Sequence, residues 1–175
     1  MLCERARQGE MAAASELITL FYEKIFVWLR RLSGNDADAE DLTQKTFWKA
    51  WQSIDSYEGR CSFSTWIHRV AYHIYVDWRR QQGRLSYPSD AWWETCESSG
   101  PSPLQDAMDR DLARVLYAAV EQIDEAFRPV IYLHYYEGLS LRETAEVLDV
   151  APSTVKYRLR EALRNLKSLI KEPSK

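Results

Sequence analysis

Cysteine is scarce, with three in 175 residues at positions 3, 61 and 96. An odd number so widely spaced builds neither a disulfide framework nor a Cys-x-x-Cys metal motif, and it fits a reducing cytosol. Histidine is as rare. His68 and His73 are five apart and do not share a helical face, and His134 is remote, so no metal site is expected. The six glycines gather into no phosphate-cradling loop, and no Ser/His/Asp set is suggested by spacing. The N-terminus lacks an apolar run of signal-peptide type, and no stretch is long and apolar enough to span a bilayer. These absences argue against an enzyme, a cofactor-dependent protein and a membrane protein.

The chain is long enough for one globular domain or two small ones. Its net charge of −3 is unevenly spread. Residues 1–84 hold twelve basic and eleven acidic side chains, 85–111 hold one and six, and 112–175 hold ten and nine. Apolar residues recur every three or four positions almost everywhere, which predicts an all-helical chain. Leu17, Leu20, Phe21, Ile25, Trp28, Leu29 and Leu32 mark one or two helices over 5–33. Gly34 ends that segment, and Asn35 caps a helix to about Ser53 that buries Leu42, Phe47, Ala50 and Ile54. After a loop at 57–61, Ser62 or Ser64 caps a helix to about 82, with Phe63, Ile67, Val70, Ala71, Ile74 and Trp78 inside. Ser, Pro and acids make 84–103 a linker, although Trp92 and Trp93 are out of character there. Helices are expected over 104–122 and from Asp124 to Gly138, with Pro129 kinking or fraying the second.

The last stretch reads as a helix-turn-helix. Ser140 and Glu143 have the spacing of a capping box, Asp149 and Val150 make the turn, and Pro152 suits the first position of a new helix. Val155, Leu159, Leu163, Leu166 and Ile170 form one apolar face. The opposite face carries Ser153, Thr154, Lys156, Tyr157, Arg158, Arg160 and Arg164. From Pro152 onward seven basic residues face two acids. A capped helix, a tight turn and a basic, hydroxyl-bearing second helix suit the major groove of DNA.

Two features mark the N-terminal half. In DAEDLTQKTFWKAW (38–51), Asp41, Gln44, Lys45, Trp48 and Trp51 lie near the apolar stripe, which suggests a protein-binding face; both tryptophans in the core is an equal alternative. Over 57–80 aromatic and basic residues interleave: Tyr57, Arg60, Phe63, Trp66, His68, Arg69, Tyr72, His73, Tyr75, Trp78, Arg79 and Arg80. Such a surface stacks unpaired bases and neutralises their backbone. A Trp-rich core rimmed with arginine gives the same pattern, and spacing alone leaves both open.

DAEDLTQKTFWKAW, FSTWIHRVAYHIYVDWRR and YYEGLSLRETAEVLDVAPSTVKYRLREAL, in that order, resemble an extracytoplasmic-function (ECF) sigma factor of the sigma-70 family along nearly the whole chain. The resemblance implies an all-α fold of two small helical domains joined by a flexible acidic linker: a region 2 bundle over 1–83, a linker over 84–103 and a region 4 helix-turn-helix over 104–172. It implies a cytoplasmic, non-enzymatic initiation factor. Its partners would be bacterial core RNA polymerase (β′ and β subunits), promoter DNA and an anti-sigma protein. Carried over by position, Asp38, Asp41, Leu42, Gln44, Phe47 and Trp51 match the helix that docks on the β′ coiled coil. Arg60, Cys61, Ser62, Phe63 and Ser64 match the loop that holds a flipped −10 base. Trp66, Arg69, His73, Asp77 and Arg80 match the helix that reads and melts the −10 element. Ser153, Thr154, Lys156, Tyr157, Arg158 and Arg160 match the −35 recognition helix.

Three residues depart from the family pattern. Lys45 replaces a usual acid, His73 a common Asn and Asp149 a frequent Gly. Asp tolerates the left-handed conformation better than most residues, so the turn is expected to survive. A helix-turn-helix regulator without sigma activity would account for the C-terminal half but not for the motifs at 38–51 and 57–80.

Overall fold

The computed structural model describes residues 2–83 and 119–171. Regular structure among them is helical throughout: α1 (Leu2–Arg7), α2 (Met11–Ser33), α3 (Asp36–Gln52), a 3₁₀ turn (Ile54–Ser56), α4 (Phe63–Gln81), α5 (Arg128–Ile131) running into a π turn (Tyr132–Tyr136), α6 (Leu141–Leu148) and α7 (Pro152–Lys171). The chain divides into two compact units, Met1–Ser98 and Ser99–Lys175. The linker expected over 84–103, with Trp92 and Trp93, lies outside the described residues, as does the helix expected over 104–122 except for its last four positions.

In the first unit, helix boundaries follow local chemistry. Gly9 adopts φ 84° between α1 and α2, and Arg5 Nε donates to Glu10 Oε2 at 2.7 Å across that turn, holding the Glu10 carboxyl below its usual range. Gly34 closes α2 at φ 86°, its N–H returning to Arg30 O. Asn35 then caps α3, its Oδ1 accepting from the Asp38 N–H at 2.8 Å. Ser62, not Ser64, caps α4 by accepting from the Thr65 N–H at 3.0 Å.

α2, α3 and α4 pack as a three-helix bundle. α2 buries Leu17, Ile25, Trp28, Leu29 and Leu32, and α3 buries Ala39, Leu42 and Ala50. Leu20, expected inside, is 56% exposed. At about 100° per residue it stands about 120° from the centre of the buried stripe. α4 also turns differently from expectation. Its buried side chains are Thr65, Ile67, His68, Ala71, Tyr75 and Arg79, whereas Phe63, Val70, Ile74 and Trp78 are half-exposed. The His68 ring meets Trp28 edge-on at 5.2 Å, and the Tyr75 hydroxyl donates to Leu32 O at 3.3 Å. Two polar aromatics therefore take core places that a purely apolar stripe would have filled.

The second unit is built from α5, α6 and α7. Asp124 opens a turn rather than a helix, its Oδ1 accepting from the Ala126 N–H at 2.8 Å. α5 starts only at Arg128, with Pro129 in its first turn. Had the helix begun at Asp124, Pro129 would have lacked the N–H needed for a bond back to residue 125. Ser140 and Glu143 form the expected capping box: Ser140 Oγ accepts from the Glu143 N–H at 3.2 Å, and Glu143 Oε2 accepts from the Ser140 N–H at 2.9 Å. Asp149 makes the turn in the left-handed region, at φ 54° and ψ 49°. α7 buries Val155, Leu159, Ala162 and Leu166, while Leu163 is 45% exposed. Steps of four, three and four keep one face in register with 3.6 residues per turn; a second step of four carries Leu163 about 80° away from Val155.

Leu163→Ser is thus expected to change stability by no more than about 0.5 kcal/mol, whereas Ala162→Leu overfills the core and costs about 1–3 kcal/mol. Denaturant unfolding of the two variants checks the helix register. Asp149→Val places a β-branched side chain in the left-handed region at a cost of about 1–2 kcal/mol. Amide exchange should show this loss in α6 and α7, with protection of α2–α4 unchanged.

Candidate nucleic-acid and partner-binding surfaces

α3 has one buried face and one outward face. Asp41, Gln44, Trp48 and Trp51 are exposed and step by three, four and three, so they form one stripe. Trp48 is 67% exposed and Trp51 37%, an unusual amount of indole for a surface to leave in water. The other matched positions on α3 serve the scaffold. Leu42 is fully buried, and Asp38 belongs to the helix cap, its Oδ2 accepting from Asn35 Nδ2 at 2.5 Å. Phe47 is half-buried and stacks on Tyr22 at 5.6 Å. Trp48 is the contact candidate missing from the matched set; its place four residues after Gln44 and three before Trp51 was the available signal. Lys45 forms an i,i+4 ion pair with Asp41 at 2.6 Å.

The loop before α4 is held from within. The Tyr57 hydroxyl donates to Cys61 O at 2.7 Å, and Gly59 provides a φ of 73°. Phe63 packs against Phe21, Tyr57 and Trp66 at centroid distances of 5.1, 5.8 and 5.5 Å. Cys61 O, Ser62 Oγ and Ser64 O are all engaged, the last with His68 Nδ1 at 2.8 Å. Arg60 is exposed and pairs with Glu58 at 2.5 Å.

Beyond the loop, Trp66, Arg69, His73 and Asp77 follow one face of α4, and Arg80 stands exposed at its end, 3.4 Å from Asp77. Trp66, Arg69 and His73 are half-exposed and line an open groove of about 680 Å³ between α4 and α3. The aromatic-basic interleaving thus divides between core and surface. Tyr57, His68, Tyr75 and Arg79 are buried; Trp66, Arg69, His73 and Arg80 reach solvent. A half-exposed indole beside guanidinium and imidazole groups suits an unstacked base and its phosphate.

On α7, Ser153, Lys156, Tyr157, Arg160 and Arg164 are exposed opposite the buried stripe. The Arg160 guanidinium lies over the Tyr157 ring at 5.8 Å and Arg164 pairs with Glu161 at 3.1 Å. Thr154 and Arg158 are half-buried on the flank of the helix, not on the face opposite the core as expected. Pro152 starts α7, and Ala151 O accepts from the Thr154 and Val155 N–H groups at 2.9 and 3.3 Å, so the hydroxyl-bearing residues sit in the first turn.

Among the described residues no three His, Cys, Asp or Glu side chains group as metal ligands would, and no helix is long and apolar enough to cross a membrane.

Residues 17–85 match the Sigma-70 region 2 family model, and residues 113–166 match Sigma-70, region 4. The ECF RNA polymerase sigma factor SigE of Mycolicibacterium smegmatis is 31% identical over 95% of this chain, which spans 65% of that protein's length. SigW of Bacillus subtilis is 29% identical over 92% of each chain, and the Escherichia coli sigma-E factor is 29% identical over 94% of this chain and 92% of its own. Among solved structures, CnrH in complex with the cytosolic domain of CnrY shares the fold with a TM-score of 0.71 at 23% identity, over 99% of this chain and 97% of that one. RpoE of Bartonella quintana, in complex with the anti-sigma factor NepR, gives 0.67 at 24% identity, over 91% and 98%. With both family regions present in series and such relatives aligned along most of its length, the chain belongs to the sigma-70 family as an RNA polymerase sigma factor of the ECF type.

Proposed function

We propose that the chain binds bacterial core RNA polymerase in the cytoplasm and directs promoter-specific initiation, reading −35 DNA as duplex and the −10 element as an opened strand. One observation carries this reading: two chemically different surfaces sit on two separate units, in the order the task requires. Indoles and a half-exposed aromatic-basic face lie on the first unit, and a basic, hydroxyl-bearing helix face lies on the second. A paired −35 duplex needs only a groove-filling helix. An opened −10 element needs platforms that offset unpairing, a cost of a few kcal/mol.

In this proposal Asp41, Gln44, Trp48 and Trp51 make the contact with the polymerase β′ subunit, while Asp38, Leu42 and Phe47 hold α3 in place. Arg60 to Ser64 shape the pocket for an extruded base, and Trp66, Arg69, His73 and Arg80 follow the opened strand. Ser153, Lys156, Tyr157 and Arg160 enter the major groove, with Thr154 and Arg158 at its edge. The second unit also meets the β subunit. Relatives solved with anti-sigma partners support a similar inhibitory partner here, covering the same faces. The role is that of an initiation factor, with the chemistry left to the polymerase.

A purified transcription assay on a pool of promoter fragments, with permanganate footprinting of unpaired thymines, tests the whole reading. Specific transcripts with a melted bubble are expected; duplex binding without polymerase binding would leave only a helix-turn-helix regulator. Lys156→Ala with Arg160→Ala should weaken −35 duplex binding at least tenfold and lower its salt slope by about two, with polymerase affinity unchanged. Trp66→Ala with Arg69→Ala should spare duplex binding and reduce permanganate reactivity at −10; unaltered melting would return that face of α4 to a structural role.

A further inference from the structure

α1 belongs to none of the recognition surfaces. It precedes the region 2 match, which begins at residue 17, yet it is fastened down. A helix of six residues is far too short to persist alone in water, so docking holds it. Ala6 is 1% exposed and packs with Ala13, Ala14 and Leu17 of α2 in one cluster. Arg5 and Glu10 form a two-pronged hydrogen bond across the turn between α1 and α2, where Gly9 takes its positive φ. Two further contacts reach the −10 loop. α1 lies against the 3₁₀ turn Ile54–Ser56, which leads directly into the loop at Tyr57. Leu2, Cys3, Phe21 and Phe63 pack on the same alanine-rich cluster, and Phe63 leaves the loop as the first residue of α4. α1 and its cluster therefore touch both roots of the loop 57–62. Inside it, buried Tyr57 donates to Cys61 O, and the Phe63 ring meets Tyr57 and Trp66. A loop ordered before binding avoids the side-chain ordering that otherwise weakens association.

We propose that α1 is a positioning element for the −10 base pocket. By pinning both roots of the loop 57–62 it holds Arg60 to Ser64 in the form that receives the extruded base, and Ala6 is the residue through which it docks. This assignment rests on the sigma-factor reading. A brace that only stabilised the helix bundle would leave the reception of the base unchanged, so an abasic strand separates the two roles.

The test uses holoenzyme assembled from the full chain and a forked promoter fragment, taken from the transcribed pool, whose −10 strand is unpaired. An abasic site is placed at each −10 position in turn. With the parent chain one position should be sensitive to base removal, which marks the extruded base. Ala6→Arg is too large and charged for its place against α2. It should weaken binding of the intact fork roughly two- to tenfold, the range expected when one interface side chain must be ordered on binding, and removal of the extruded base should then cost nothing further. Ala6→Ser should match the parent. Arg5→Ala, an exposed change that leaves the bundle core intact, should lower fork affinity in the same base-dependent way by a smaller factor, and it decides the matter where Ala6→Arg does not fold. Core polymerase affinity and −35 duplex binding should equal the parent's in all three. The proposal is overturned if no −10 position of the parent is sensitive to base removal, if the deciding variant binds the intact fork as the parent does, if intact and abasic forks weaken equally, or if the loss follows weaker core binding. Failure of the sigma reading appears separately, as a parent chain that binds no core polymerase and yields no transcripts.

Discussion

The rotation of α4 about its own axis decides what the first unit can do. His68 is fully buried, tied to Ser64 O one turn earlier and set edge-on to Trp28. Two turns later the Tyr75 hydroxyl is anchored to the last turn of α2. These contacts fix which stripe of α4 faces inward, and the helix period then forces Trp66, Arg69 and His73 outward. The apolar pattern alone would centre the buried stripe about 90° away, putting Val70, Ile74 and Trp78 inside. A Trp28–His68 edge contact is a modest interaction, worth about 0.5–1.5 kcal/mol beyond area burial, and it helps set which face of α4 is exposed. Burial of Trp28, Ile67 and Ala71 around it provides the larger stabilisation.

Short-range chemistry was legible in the sequence. The caps at Asn35 and Ser140, the capping-box partner Glu143, the stop at Gly34 and the turn at Asp149 all depend on residues within a few positions of one another, so the string of letters contains the whole cause. Long-range packing was not legible in the same way. Leu20 and Leu163 are apolar and lie near their stripes, but a stripe is only as wide as the neighbouring helix that covers it. Ala162 was overlooked because it is small, and a small residue is what the close approach of another helix requires. The start of α5 differs from expectation because Asp124 makes a good local turn, which resembles a helix start, and Pro129 marks the first turn of the helix rather than a kink within it.

The candidate surfaces show the same division. A linear motif contains both the residues that build a helix and those that the helix presents, and the letters do not separate them. Within 38–51, Asp38 and Leu42 maintain α3, whereas Asp41, Gln44, Trp48 and Trp51 are displayed by it. Within 57–80 burial divides the aromatic and basic residues, with His68 and Tyr75 in the core and Trp66 and His73 partly open to solvent. Burial could make that division; composition could not.

Only Asp149, Val150 and Ala151 separate α6 from α7. With Asp149 locked in the left-handed region and Val155, Leu159, Ala162 and Leu166 all seated in the core, the crossing of the two helices has little freedom left. The exposed residues of the first turns of α7 contribute almost nothing to that geometry. Ser153, Lys156, Tyr157 and Arg160 can therefore be exchanged one at a time without disturbing the frame that presents them. If these residues read DNA as proposed, such a separation would let a lineage of copies diverge in the DNA sequences they address while each retains a working fold, so that new regulatory circuits arise from a handful of surface substitutions.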